Sequence, residues 1–277
     1  MKLTLIPYGG LANRMKALEA LIVLTRDTTD LYSTAIWYKD KGLNCSFDQL
    51  FRPLEIPRLT LREANLLDYV FNDRPRKKNF FIPNIFQKIY YDTCLHEDEV
   101  TQKTYRGFDF QKWVLSYKKT FMSACLQFHK GETEKSFTSF IPIDELQEKI
   151  NNRCKDFSSK TIGVHIRRTD NRASIKNSPT ELFIQLMRDE LEMDKSVLFY
   201  LASDSQEEKE RLTSIFGDRI ITFWEPVLRH TSQGVQDALV DLYVLSRTQK
   251  IIGSSGSSFS VLASEIGNIP YVKVEYK

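Results

Sequence analysis

TIGVHIRRTDN, residues 161 to 171, reads as a strand that ends in charge. Ile162, Val164 and Ile166 suit a strand buried on both faces, whereas His165, Arg167, Arg168 and Asp170 gather at its carboxyl end. Working outward, residues 197–202, 219–223, 250–253 and 271–275 are further short runs rich in β-branched or aromatic residues. Residues 179–193, 205–216, 234–247 and 258–267 lie between or beside them and carry helical periodicity. Strand alternating with helix implies βαβ units and a parallel sheet, and such sheets bind ligands beyond the carboxyl ends of their strands.

The amino-terminal half begins the same way. Lys2 to Pro7 reads as a strand, Gly9-Gly10 as a turn, and Leu11, Met15, Leu18 and Ile22 as the apolar face of a helix. Residues 40–140 show no periodicity strong enough to assign elements. Pro142 and Asp144 open a helix to about Arg153, and CKDFSSK (154–160) reads as a turn or linker. The sequence therefore predicts an α/β protein with lobes at 1–153 and 154–277, which the length of 277 residues accommodates.

Composition narrows the class. With 42% hydrophobic and 27% charged residues the chain is an ordinary globular protein, and a net charge of +3 is too small to indicate a nucleic-acid partner. Cys45, Cys94, Cys125 and Cys154 have no C-x-x-C spacing, so they read as buried reduced thiols. The amino terminus reads as strand and turn rather than a secretion signal, and the apolar run 18–24 is short of a membrane span. The expected location is cytoplasmic, with no transmembrane segment; the mild positive charge permits peripheral membrane association.

Several stretches carry chemistry. An arginine pair at a strand end suits a diphosphate, because each guanidinium is a planar fork of donors with a permanent charge; an Arg–Asp surface network closed by Asp170 would explain it equally. SDS (203–205) lets Ser203 or Asp204 cap the next helix, or lets Asp204 accept hydrogen bonds from a base or ribose. GSSGSSFS (253–260) resembles a phosphate cradle, with Ser254, Ser257 and Ser258 at a helix start, although many such turns only cap helices. Asp237 and Asp241 share a helix face, with Leu239, Leu242 and Leu245 directed to the sheet. Gly10, Asn13 and Arg14, at the other strand-to-helix junction, are candidates for the nucleotide-sugar site, with free N–H groups and a polar pair at a cleft edge, although hairpin or helix-entry chemistry explains the glycines equally well. D-x-D and a second ligand near HEDE (96–99) are both missing, so no metal is expected. Cys125 and His129 read as one helical face rather than a catalytic pair.

In motif and order these stretches resemble the metal-independent fucosyltransferase superfamily of α-1,6, α-1,2 and protein O-fucosyltransferases. IGVHIRRTD (162–170) is similar to the H-x-R-R-x-D block of the α-1,6 enzymes and YLASDS (200–205) to their strand-end aspartate motif. DALVDLYVLSRTQKIIGSSGSSFSVLASEIG (237–267) resembles their last donor-lobe block, and GGLANR (9–14) a glycine-asparagine loop near the start. The resemblance implies a GT-B-like arrangement, two Rossmann-like lobes with parallel sheets facing a central cleft, and an inverting transfer of fucose from GDP-fucose to a glycan acceptor without a metal or other cofactor. It also implies that Arg167 and Arg168 neutralise the diphosphate, that His165 lies against the nucleotide, that Asp204 contacts guanosine, that Asp241 and Ser257 help hold the nucleotide, and that Asn13 lines the cleft. Asp170 would serve as a base or orient Arg167. The α-1,6 enzymes carry lysine after that aspartate and a glutamate a few residues on; here Asn171 and Arg172 follow, and SIKNS (174–178) has no carboxylate. A non-catalytic GDP-sugar-binding module, or a transferase of another GDP-sugar, fits the same residues.

Overall fold

The computed structural model describes residues 1–72, 82–131, 137–169, 172–225, 228 and 231–276. It divides into two compact units, Met1–Ile141 and Pro142–Lys277. The helix Asp144–Arg153 (α6) packs within the second unit, so the division falls ahead of this helix rather than behind it, as the sequence had suggested. Its buried Leu146 and Ile150 are the reason: they give α6 an apolar stripe that packs with the second unit.

The first unit holds a five-stranded parallel sheet formed by β1 (Lys2–Pro7), β2 (Tyr32–Trp37), β3 (Leu59–Glu63), β4 (Thr93–Leu95) and β5 (Lys119–Ala124), in the order β3-β2-β1-β5-β4. Helix α1 (Leu11–Asp27) is almost wholly buried, as a crossover between β1 and β2 requires. Gly9 has φ +90°, and a Cβ there would meet Asn13, which explains a glycine at that turn. In the stretch 40–140 lie β3 to β5 and four helices of six to nine residues: α2 (Leu66–Phe71), α3 (Ile82–Tyr90), α4 (Glu97–Tyr105) and α5 (Phe110–Leu115). Elements this short give too few turns for a period to register in sequence. Cys125 and His129 lie beyond β5 in non-helical backbone, so the expected helical face is not formed; His129 instead pairs with Asp27 at 2.9 Å.

In the second unit β6 (Thr161–Ile166), β7 (Leu198–Ser203), β8 (Ile220–Thr222), β9 (Ile251–Ser254) and β10 (Tyr271–Val274) are all parallel, in the order β10-β9-β6-β7-β8. Helices α8 (Thr180–Met193), α9 (Gln206–Phe216), α10 (Ser232–Leu245) and α11 (Ser258–Gly267) fall within two residues of the sequence expectation. A six-residue helix, α7 (Arg172–Asn177), was not expected. One sheet face packs Phe199, Leu201 and Ile252 against Phe183, Met187 and Leu212. The alternate residues Tyr200 and His165 face the other way, toward α10 and α11. The chain steps from β6 to one side of the sheet and later returns to the other, so the crevice beyond the ends of β6 and β9 is the switch point where ligands dock in doubly wound sheets.

All four cysteines are free thiols, of which Cys45 is buried and the other three partly exposed, so the expectation of burial holds for one. No helix of the described residues is long and apolar enough to cross a membrane. Helices α10 and α11 meet so closely that a Cβ on Gly267 would lie 2.1 Å from the Ser246 carbonyl oxygen. Alanine normally favours a helix over glycine by ~1 kcal/mol. Here Gly267→Ala should instead lower the unfolding free energy, by about 1–3 kcal/mol, read as a fall in the denaturant midpoint.

Candidate functional site

The switch point of the second unit collects the end of β6, the turn after β7 and the serine loop before α11. The His165 ring lies 4.9 Å from Phe259 at an interplanar angle of 29°, and its Nδ1 is 2.7 Å from Ser260 Oγ. The Arg167 backbone N–H donates to Ser254 Oγ at 3.1 Å, which ties β6 to the serine loop. The Arg167 side chain is partly exposed.

Arg168 is used differently from the expectation that it binds diphosphate. Its Nε donates to Glu208 at 3.1 Å, Nη1 to the Arg167 carbonyl at 3.0 Å, and Nη2 to the Ser178 carbonyl at 3.0 Å and Thr180 Oγ1 at 2.9 Å. Four of the donors of a guanidinium are thereby spent inside the protein. Arg168 braces the loop that presents its neighbour. Asp204 departs from expectation too. Its Oδ1 accepts from the Arg168 backbone N–H at 2.7 Å, and its Oδ2 from the Thr169 hydroxyl at 3.0 Å. Ser203 Oγ donates to the Ile166 carbonyl, and the cap of α9 falls to Ser205, one residue beyond the two expected. Asp170 and Asn171 lie outside the described residues.

The serine loop divides its work. Ser254 is buried and joined to Arg167 and His165. Ser258 is exposed in the first turn of α11, and Gly256 takes φ +70°, where only glycine sits without strain. Ser257, the residue that caps α11, is 4% exposed, and among the described residues its Oγ has no hydrogen-bond partner. A buried unpaired hydroxyl at a positive helix end favours an anionic acceptor that would complete it. Sequence reasoning missed Ser174 and Ser178. The Ser174 hydroxyl donates to the Ser255 carbonyl at 2.6 Å and Ser178 Oγ accepts from the Ser255 N–H at 2.8 Å, so SIKNS pins the serine loop from α7. Isolated serines carry no sequence signal for such a role.

On the same sheet face a cavity of about 580 Å³ is lined by Arg153, Tyr200, Phe223, Gln233 and Asp237, a volume usual for small-molecule sites. Arg153 lies 3.6 Å over the Phe223 ring and donates to Asp241 Oδ1 at 2.6 Å, to which the Tyr200 hydroxyl also donates at 2.5 Å. Burial pushes the Asp241 carboxyl and the Tyr200 phenol up, with Arg153 opposing both. Arg153 and Tyr200 were not expected from the sequence, since neither belongs to a charged or glycine-rich cluster.

The first unit places Gly10 as the exposed cap of α1 and Asn13 half-buried beside Gly9. Arg14 is fully buried rather than presented to a ligand. Its guanidinium donates to the Gly9 and Tyr38 carbonyls, pairs with Asp40 at 2.9 Å and lies 5.3 Å from the Trp37 ring centroid. Beyond β1 and β5, the Tyr8 hydroxyl is hydrogen-bonded to Cys125 and Glu97, and its pKa is raised by burial first and by these two groups next. Among the described residues no cluster of three or more His, Cys, Asp or Glu is placed to hold a metal ion.

No protein-family model matches the chain, and no curated protein matches it by sequence. Solved structures do match. The chain is 15% identical to NodZ α-1,6-fucosyltransferase soaked with GDP-fucose, a protein also solved from Bradyrhizobium, covering 96% of this chain and 92% of that one with a TM-score of 0.65. Arabidopsis thaliana FUT1, as the R284K mutant with GDP, matches at 14% identity and TM-score 0.62 over 98% of this chain and 69% of that one. The apo form of POFUT1 matches at 10% identity and TM-score 0.57 over 99% and 97%. The chain thus has the two-unit Rossmann-like fold of the GT-B fucosyltransferases.

Asp204 is fully engaged within the protein, whereas, among the described residues, the Ser257 hydroxyl is not. Asp204→Ala should cost ~1–3 kcal/mol of stability by orphaning backbone donors, whereas Ser257→Ala should fall within ~0.5 kcal/mol; denaturant unfolding of both variants checks the contrast.

Proposed function

We propose that this protein is an inverting glycosyltransferase that takes fucose from GDP-fucose to a glycan acceptor without a metal. The observation that carries the proposal is Ser257: a buried hydroxyl with no partner among the described residues, at the start of α11, beside the strand end that presents Arg167. Together they offer hydroxyl, backbone N–H and guanidinium to a diphosphate. Arg167 is the built-in cation. As the glycosidic bond breaks, negative charge grows on the departing diphosphate, and a guanidinium already in place stabilises that state more than the ground state. Arg168 and Asp204 act through Arg167, by fixing the loop on which it stands.

The base occupies the adjacent cavity. With Asp204 committed to the loop, the carboxylates that line this cavity, Asp156, Glu225 and Asp237, are the ones placed to accept the N1–H and N2–H of guanine, which adenine and uracil do not offer in that pattern. The crystal forms of NodZ and plant FUT1 with GDP or GDP-fucose support a guanine nucleotide over other donors.

Calorimetry should show GDP binding well above UDP and ADP. Arg167→Ala should weaken GDP about 10- to 100-fold, the loss of one charge-assisted contact of ~1.5–3 kcal/mol. No GDP binding would sink the proposal. GDP binding with no GDP release from GDP-fucose across an acceptor panel would mark a binding module instead.

A further inference from the structure

Helices α2 and α3 are turned inside out. In α2 (LLDYVF) the single carboxylate, Asp68, is 2% exposed, while Leu66 is 85%, Leu67 65% and Val70 43% exposed. Asp68 is held inside by Arg62 in a two-pronged ion pair, by the Asn65 N–H and by the Asn72 amide. Helix α3 repeats the pattern, with Gln87 1% exposed and Ile85 and Ile89, one turn apart, facing outward at 57% and 81%. An aromatic ladder, Phe71–Phe86–Tyr90–Tyr91–Phe121, anchors the pair to β5, so the orientation is set by packing. A water-facing surface would place Asp68 and Gln87 outside and the leucines and isoleucines within.

Charge indicates what covers this face. Lys88 is exposed among the apolar residues of α3, and Lys119 lies 4.2 Å over the Tyr90 ring. The segment that joins α2 to α3 is outside the described residues, but in sequence it reads DRPRKKNFF (73–81), four cations against one carboxylate. Lysine is depleted from the cores of protein–protein interfaces, whereas apolar residues beside Lys and Arg are what a headgroup layer accepts: acyl boundary for the side chains, phosphate for the cations. We infer that the exposed face of α2 and α3 docks on an anionic phospholipid surface and anchors the protein there peripherally. At nine residues α3 lies in the interface rather than spanning the bilayer. The inference is independent of the nucleotide assignment.

The test is flotation of the full-length protein with phosphatidylcholine vesicles, with and without phosphatidylglycerol. Binding to the anionic vesicles should exceed that to neutral ones by about tenfold and fall with added salt. Leu67→Asp with Ile89→Asp, both at exposed positions, should abolish flotation while leaving the melting temperature and GDP affinity of the wild-type protein. Lys88→Glu should weaken flotation alone. Equal partition to both vesicle types, no flotation at all, or flotation unchanged in the double variant would overturn the inference. So would a wild-type dimer that the double variant converts to monomer, since a second copy would then cover the face.

Discussion

Arg168 is held inside the protein, and its partners fix the strand end that also carries Arg167. Two adjacent guanidiniums at one strand end repel each other and compete for the same space. The structure resolves this by turning one inward, onto Glu208, Thr180 and the Ser178 carbonyl, and by tying the backbone of the pair to Asp204 and Ser254. Those partners come from α8, α9, the end of β7 and the end of β9. The loop that carries Arg167 is thus fixed from four directions, and small errors in any of these elements would reach it.

The first unit solves a similar problem at its own β1-to-α1 turn. There the buried Arg14 takes the Gly9 and Tyr38 carbonyls and Asp40, and holds the glycine turn against β2. In both units, then, an arginine that sequence alone assigns to a ligand is a strut. The cost of burying a guanidinium is met by filling its donors, which is the condition under which buried charge is tolerated.

Much of the second unit was legible in the sequence. Its strands are short β-branched runs, its helices are long enough for the 3.6-residue period to register, and its boundaries fell within two residues. The first unit beyond α1 was not legible, because its helices between 66 and 115 have six to nine residues and two of them invert the expected polarity. Of the site, His165, Arg167, Ser254, Ser257 and Asp241 announced themselves as polar residues at strand ends or on a helix face beside apolar runs. Ser174, Ser178, Tyr200 and Arg153 did not, since each gains its role only from a neighbour distant in sequence.

By itself the sequence determined the α/β alternation, the parallel sheet of the second unit, and the gathering of charge and small hydroxyl residues at its strand ends. Those follow from local patterns, because periodicity and turn chemistry act over a few residues. Tertiary structure alone decided which charges are spent inside the protein. A guanidinium or carboxylate is available to a ligand only when no nearer acceptor or donor takes it; for Arg168 and Arg14 the nearer groups are carboxylates, a hydroxyl and carbonyls, and for Asp204 they are the backbone N–H of Arg168 and the Thr169 hydroxyl. Between TIGVHIRRTDN and the site stands that competition for hydrogen bonds.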